Sequence, residues 1–264
     1  MEDRPISLTL RIVAGIMLLF LLAPVLIVVP ISFSADTYMA FPPSGWSVKW
    51  YVAIFQDPKM INAFWVSLAL AVLTTVLSLA IGLPAAYVLV RLRPRGSEAM
   101  ASFFTAPLLL PSIVLGLALL VVFATFGLLG TFQGFLAAHL VITLPYAVRV
   151  LSTALSTLPR AVEEAATTLG APPLSVFFRV TLPMMRNAIV ATSALAFLVS
   201  FDEVVLSLFM SGPRISTLPV EMYHHVENEA DPMVAAISVL LIVLTFAVVV
   251  VVDRTAGLSR TFVK

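Results

Sequence analysis

Long stretches without a single charged side chain constrain this chain more than anything else in it. They run from Ile12 to Ala35, Met60 to Val90, Ala99 to Val148 and Asn187 to Phe201, the last resuming after an acidic pair as Val204 to Pro213, and finally from Pro232 to Val252. A helix that crosses a bilayer needs about 20 residues. The third stretch is roughly twice that length, and Gly127, Gly130, Gln133 and Gly134 divide it into two helices. Six spans follow, at about 12–33, 62–90, 99–125, 134–153, 187–211 and 232–252. Composition agrees: with 61% hydrophobic and 11% charged residues and a mean hydropathy of +1.08, the 264 residues cannot cover a soluble globule. The expected fold is an all-α membrane protein of one domain over residues 1–264, with no linker, repeat or low-complexity tract to divide it.

Charge distribution orients the spans. With the N-terminus in the cytoplasm, inner segments carry Arg4, Arg11, Arg91, Arg93, Arg95, Arg149, Arg160, Arg179, Arg186, Arg254, Arg260 and Lys264, and outer segments only Lys49, Lys59 and Arg214. That bias places both termini in the cytoplasm. The net charge of +1 gives no reason to expect a nucleic-acid partner, and the absence of cysteine excludes disulfides and thiolate metal sites. Ser32-Phe33-Ser34 has small residues at cleavage-like spacing, but the apolar core before it is too long for a secretory signal, so an uncleaved first helix is expected.

Pro24, Pro84, Pro107, Pro111 and Pro145 fall inside spans, where each removes one helical hydrogen bond and introduces a kink. Pro107 and Pro111, one turn apart, are the strongest candidates for a functional break. The outer segment holds Phe41-Pro42-Pro43-Ser44-Gly45-Trp46, a turn-rich sequence suited to anchoring at the interface.

Between Leu158 and Asn187 lies a polar island on the inner side. Pro159 suits a first helical turn, Glu163 and Glu164 suit a positive helix N-terminus, and Gly170 suits a left-handed stop. Pro172 and Pro173 forbid continuation, Leu174 to Val180 has room for a second short helix, and Leu182-Pro183 turns the chain back to the bilayer. The product is a helical elbow between the fourth and fifth spans.

Glu164-Ala165-Ala166, three residues, Gly170, nine residues, Val180, one residue and Leu182-Pro183 resemble the EAA loop of permease subunits of bacterial binding-protein-dependent ABC importers. Val180 stands where that pattern has isoleucine. The resemblance implies that this loop is a coupling helix docking on a cytoplasmic ATPase subunit, with Glu163, Glu164, Ala165, Ala166, Gly170, Leu182 and Pro183 carrying the coupling. Small alanines allow close approach, and a carboxylate can pair with a basic groove. No Gly-rich phosphate loop ending in Gly-Lys-Ser/Thr occurs in the chain, so the motor is a separate polypeptide that binds ATP and magnesium, and this chain is expected to hold no cofactor and perform no catalysis. Ser200-Phe201-Asp202-Glu203, Phe209-Met210-Ser211-Gly212 and Thr217-Leu218-Pro219-Val220 further resemble the C-type permease of spermidine/putrescine importers. Permeases for opines, aminobutyrate or aminophosphonates are similar too.

Asp202 and Glu203 interrupt the fifth span, where ionised groups are costly unless paired or wet. On a continuous helix Ser193, Ala196, Ser200, Glu203 and Ser207 share one polar stripe, while Asp202 projects about 100° away. Ser200, Phe201, Asp202, Glu203 and Ser207 are therefore the candidates for a substrate path; of the acidic pair, Glu203 is expected to face the path and Asp202 to meet a buried partner on a neighbouring helix or subunit. A pair that only holds helices together is the alternative. His139 is expected to be a hydrogen-bonding packing residue. His224 and His225, with Glu221, Glu227, Glu229 and Asp231, form an outer loop in which adjacent histidines point apart, so no metal site is expected and contact with a delivery protein is.

The resemblance implies a multi-pass permease of the bacterial inner membrane. Its partners are a second, similar permease, two ATPase subunits, an extracytoplasmic solute-binding protein and membrane lipid. Its cargo is a small organic solute, with a polyamine first. A self-sufficient secondary transporter would show inverted repeats, which are not evident, and an intramembrane enzyme a nucleophile motif, of which there is none.

Overall fold

The computed structural model describes residues 7–256; Arg4, Arg260 and Lys264, used above to orient the spans, lie outside them. Among the described residues every regular element is helical. In order they are α1 (Leu8–Ser32), α2 (Lys49–Gln56), α3 (Pro58–Tyr87), α4 (Ser97–Thr105), α5 (Ser112–Thr125), α6 (Phe132–Thr157), α7 (Arg160–Thr168), α8 (Pro173–Val176), α9 (Leu182–Met184), α10 (Arg186–Phe201), α11 (Val205–Met210), α12 (Leu218–Asn228) and α13 (Met233–Ala256). Wide π-helical turns follow α3 at Val88–Leu92 and α8 at Phe177–Thr181.

Among the described residues four helices are long and apolar enough to cross a membrane: Leu8–Ser32, Pro58–Leu92, Phe132–Thr157 and Met233–Arg254. Two bent pairs raise the number to six if each pair is one span, Ser97–Leu109 with Ser112–Thr125 at 103° and Pro173–Met184 with Arg186–Phe201 at 72°. The first bend falls at the Pro107–Pro111 break expected from sequence. There Leu110 is extended, because a residue preceding proline is pushed out of the helical region.

The fifth span departs from expectation. It is not one helix over 187–211: α10 ends at Phe201, and α11 begins at Val205. Asp202 closes α10 through its N–H to Leu198 O, and Glu203 Oε1 accepts the Leu206 N–H at 2.9 Å, so a side chain takes the place of a backbone carbonyl at the start of α11.

The chain divides into two compact units, residues 7–61 with Met222–Leu244 and residues 62–221 with 245–256. The boundaries fall inside α3, α12 and α13, which is why no linker composition marks them. In the first unit, Ser34 and Trp46 pair across a closed loop. The Asp36 carboxylate accepts from Ser44 and Ser34, and those bonds, led by the Ser44 hydroxyl, hold its pKa below the usual value.

In the second unit, packing rests on small residues, since lipid removes most of the hydrophobic drive between helices. A Cβ on Gly82 of α3 would lie 3.1 Å from Ala147 Cβ of α6, and one on Gly116 of α5 would strike the Phe209 ring of α11. Ser78 and Thr143 hydroxyls bond at 2.7 Å between α3 and α6. Ala86, Ala147, Leu151, Leu155 and Met185 are buried together beneath the elbow.

Candidate functional site

The elbow takes the form its residues dictate. Gly170 has φ +87°; its N–H bonds Thr167 O at 2.9 Å and the Ala171 N–H bonds Ala166 O at 3.1 Å. This pair of bonds satisfies the last carbonyls of α7 and needs a left-handed residue after the cap, which glycine supplies at least cost. Pro173 then opens α8. Leu182 and Pro183 lie within the short α9, and the chain bends at Met185 rather than at Pro183, because a proline in the first turn of a helix is no breaker.

The two glutamates of α7 face different ways. Glu164 and Ala165 are exposed, as are Val162, Leu169 and Leu174, with relative exposures of 43%, 89% and 73% for the last three. Glu163 turns inward with Ala166 half-buried beside it. Its Oε2 lies 2.8 Å from Arg91 Nε, and the side chains are only 6% (Arg91) and 13% (Glu163) exposed. The Nε–H is not aimed along that line, so the contact is an ion pair rather than a directed hydrogen bond. Glu163 Oε1 accepts the Thr181 hydroxyl at 2.8 Å, and Arg91 Nη2 donates to Leu158 O at 3.2 Å. Arg160 Nη2 donates to Val90 O at 2.7 Å. These groups border an open groove of about 500 Å³ lined by Tyr87, Arg91, Arg160, Glu163, Glu164 and Pro173, among others.

Sequence reasoning counted Arg91 only as an inner-side cation and did not single out Thr181. Nothing local could have paired either with Glu163, since the ion pair joins distant elements.

At the helix break the two carboxylates differ in exposure. Asp202 is exposed, and Glu203 is half-buried with its carboxylate on the Leu206 N–H. Ser193, Ala196 and Ser200 share α10, but Glu203 and Ser207 lie beyond its end at Phe201, so the expected stripe is interrupted. Ser200 and Ser207 are buried instead on either side of His139, with Ser200 Oγ 2.8 Å from Nδ1 and Ser207 Oγ 3.1 Å from Nε2. His139 is therefore the hydrogen-bonding packing residue expected of it. Phe201 is 6% exposed, stacked on Phe197 with centroids 5.4 Å apart and edge-on to Phe64 at 6.3 Å.

His224 and His225, expected in a loop, lie on α12, and the expectation of no convergence is corrected for one of them. Donor atoms of His225, Glu229 and Asp231 lie within 4.8 Å of one another. Ala230, at φ +48°, folds the chain back so that Asp231 Oδ1 sits 3.0 Å from His225 Nε2. The same oxygen accepts the Met233 N–H at 2.9 Å, making Asp231 the cap of α13.

The chain resembles known transport proteins over most of its length. It is 38% identical over 230 residues to the putrescine transport system permease protein PotI of Escherichia coli K12, an alignment covering 84% of this chain and 82% of that one. It is 32% identical over 231 residues to the spermidine/putrescine transport system permease protein PotC of Haemophilus influenzae, covering 88% and 90%. In fold it matches a chain from the crystal structure of a bacterial ABC transporter that imports the acidic polysaccharide alginate, with a TM-score of 0.68 at 20% identity over 96% of this chain and 99% of that one. Residues 78–258, which include the elbow, the helix break and the Asp231 cap, match the model for binding-protein-dependent transport system inner membrane components, and the chain belongs to that family.

Proposed function

We propose that this protein is the six-span permease subunit of an ATP-driven importer of the bacterial inner membrane, with both termini cytoplasmic and a polyamine such as putrescine or spermidine as cargo. Each bent helix pair is one span, and the elbow from α7 to α9 lies on the cytoplasmic side. Its outward face docks on an ATPase subunit that holds the ATP and magnesium; this chain performs no chemistry. A second, similar permease completes the path, a second ATPase subunit serves that permease, and an extracytoplasmic binding protein delivers the solute.

The observation that carries this reading is the outward face of α7. Glu164 and Ala165 stand exposed on a helix stopped by Gly170 and held from behind by Arg91, and the same elbow exposes apolar Val162, Leu169 and Leu174. An exposed carboxylate on an elbow that also presents apolar side chains fits a groove with a basic group and an apolar rim. ATP-driven rotation of the two permeases would then open the path alternately outward and inward.

Among the path candidates, Asp202 is the carboxylate presented to cargo. Glu203 shapes the break that exposes it, Phe201 packs behind it, and Ser200 and Ser207 fix the neighbouring helices through His139. A carboxylate beside a helix break favours a cation over an anionic solute. The kinship with putrescine and spermidine permeases supports a diamine or longer polyamine.

The test is ATP-dependent uptake into proteoliposomes holding the assembled importer and its delivery protein, with putrescine, spermidine, γ-aminobutyrate, an opine and an aminophosphonate offered in turn. Uptake of the polyamines, lost on Asp202→Asn, is the expected result. Uptake of only one of the other solutes would overturn the polyamine assignment.

A further inference from the structure

Adjacent in sequence, Glu163 and Glu164 part company in the structure. We propose that Arg91, Glu163 and Thr181 form a strut that transmits displacement of α7 to α3 and α10, so that Glu163 is a positioning residue and not part of the docking face. The strut rests on the reading that α7 docks on an ATPase subunit.

Three features of the geometry carry it. The carboxylate of Glu163 spends both oxygens on separate elements, Oε2 on Arg91 beyond the end of α3 and Oε1 on Thr181 in the turn that leads into α9 and α10. Displacement of α7 therefore loads both at once. Arg91 and Thr181 each sit on a π-helical turn, Val88–Leu92 and Phe177–Thr181. An extra residue in a helical turn re-aims the side chains that follow, and such turns concentrate where function needs a side chain out of its regular phase. Two of them converging on one carboxylate is more than α7 needs in order to fold.

The third feature is bracing around the pair. Arg91 Nη2 donates to Leu158 O at the end of α6, and Arg160 of α7 donates back to Val90 O, so the α3 turn and the α6–α7 junction are tied in both directions. The Tyr87 ring stands edge-on to Phe177, centroids 5.1 Å apart at 82°. The charges are nearly out of solvent, where a pair specifies geometry more reliably than it adds stability. Rigid elements joined by such contacts are what carry a coupling free energy between sites.

The test uses the importer assembled with its ATPase subunits and second permease, in nanodiscs. The chain lacks cysteine, so Ser211→Cys supplies a single reporter. Its labelling rate by an impermeant maleimide is compared without nucleotide and after trapping with ATP and vanadate.

Wild type is expected to respond to trapping. Glu163→Gln and Arg91→Gln should retain their ATPase subunits and ATP hydrolysis while the response falls about fivefold, the scale of one lost coupling contact. The double variant should be no worse than either single, and Arg91→Lys should recover part of the loss. A merely structural pair would lower yield and leave the response per assembled complex intact. Glu164→Lys should instead lose the ATPase subunits.

Full response in both Glu163→Gln and Arg91→Gln, alongside lost docking in Glu164→Lys, would overturn the strut and leave the docking reading standing. Retained docking and response in Glu164→Lys would overturn the docking reading and the strut with it, and no response in wild type would overturn the strut. Where the Gln variants fail to assemble, Thr181→Val and Arg91→Lys, which keep the charges balanced, decide by the same measurement: a reduced response supports the strut, a full one overturns it.

Discussion

The elbow and the helix break each carry two adjacent carboxylates, and each pair splits the same way. One member turns inward and is bonded, Glu163 in the elbow and Glu203 at the break; the other, Glu164 or Asp202, is exposed. The bonded members differ in reach. Glu163 joins an arginine and a threonine on separate elements, while Glu203 bonds a backbone N–H three residues ahead of it. A carboxylate that caps its own helix shapes the chain locally, whereas one that bridges elements ties their movements together. The break is therefore shaped within its own short segment, and the elbow is tied to its neighbours.

The largest effect expected from this contrast is on stability. Arg91→Gln leaves Glu163 charged and largely buried without its cation, which costs on the order of 3 kcal/mol. Thermal or denaturant unfolding of the purified subunit measures it, and a loss below about 0.5 kcal/mol, the range of ordinary surface changes, would put the two bonded carboxylates on the same footing.

Gly170→Val comes next. A β-branched residue at φ +87° has about 1–2 kcal/mol of strain to absorb, and α7 should lose its ordered end. Faster hydrogen exchange at the Gly170 and Ala171 amides, with α10 unchanged, is the expected signature. Unchanged exchange at those amides would show that the stop does not depend on glycine.

Glu203→Ala should be milder, removing one cap at a cost of about 1 kcal/mol. Its effect should stay within α11, read as faster exchange at Leu206, with the elbow untouched. Spread of the effect to α7 would break the distinction between local and bridging carboxylates.

Much of this architecture is legible in sequence where one residue type dictates the backbone. The span ends fall within a few residues of α1, α3, α6 and α13; Pro111 marks the bend before α5, and Gly170 the end of α7. The break after Phe201 is not legible, because Ser200 to Val205 contains no glycine or proline and only the Glu203 side chain, by capping α11, reveals it. The same blindness covers the partners of Glu163 and the serines around His139, whose contacts join helices far apart along the chain. His225 shows a subtler limit. Periodicity separates it from His224, but only the left-handed Ala230 brings Asp231 back to meet it.

The central claim, that the exposed carboxylate of the elbow faces the motor, is tested most directly by proximity. A single cysteine at Glu164, carrying a short thiol-attached photo-cross-linker in the assembled importer, should cross-link to an ATPase subunit, while one at Glu229, just after α12, should not. Absence of a cross-link from Glu164→Cys, or labelling of that cysteine by an impermeant thiol reagent added to intact cells, would contradict it.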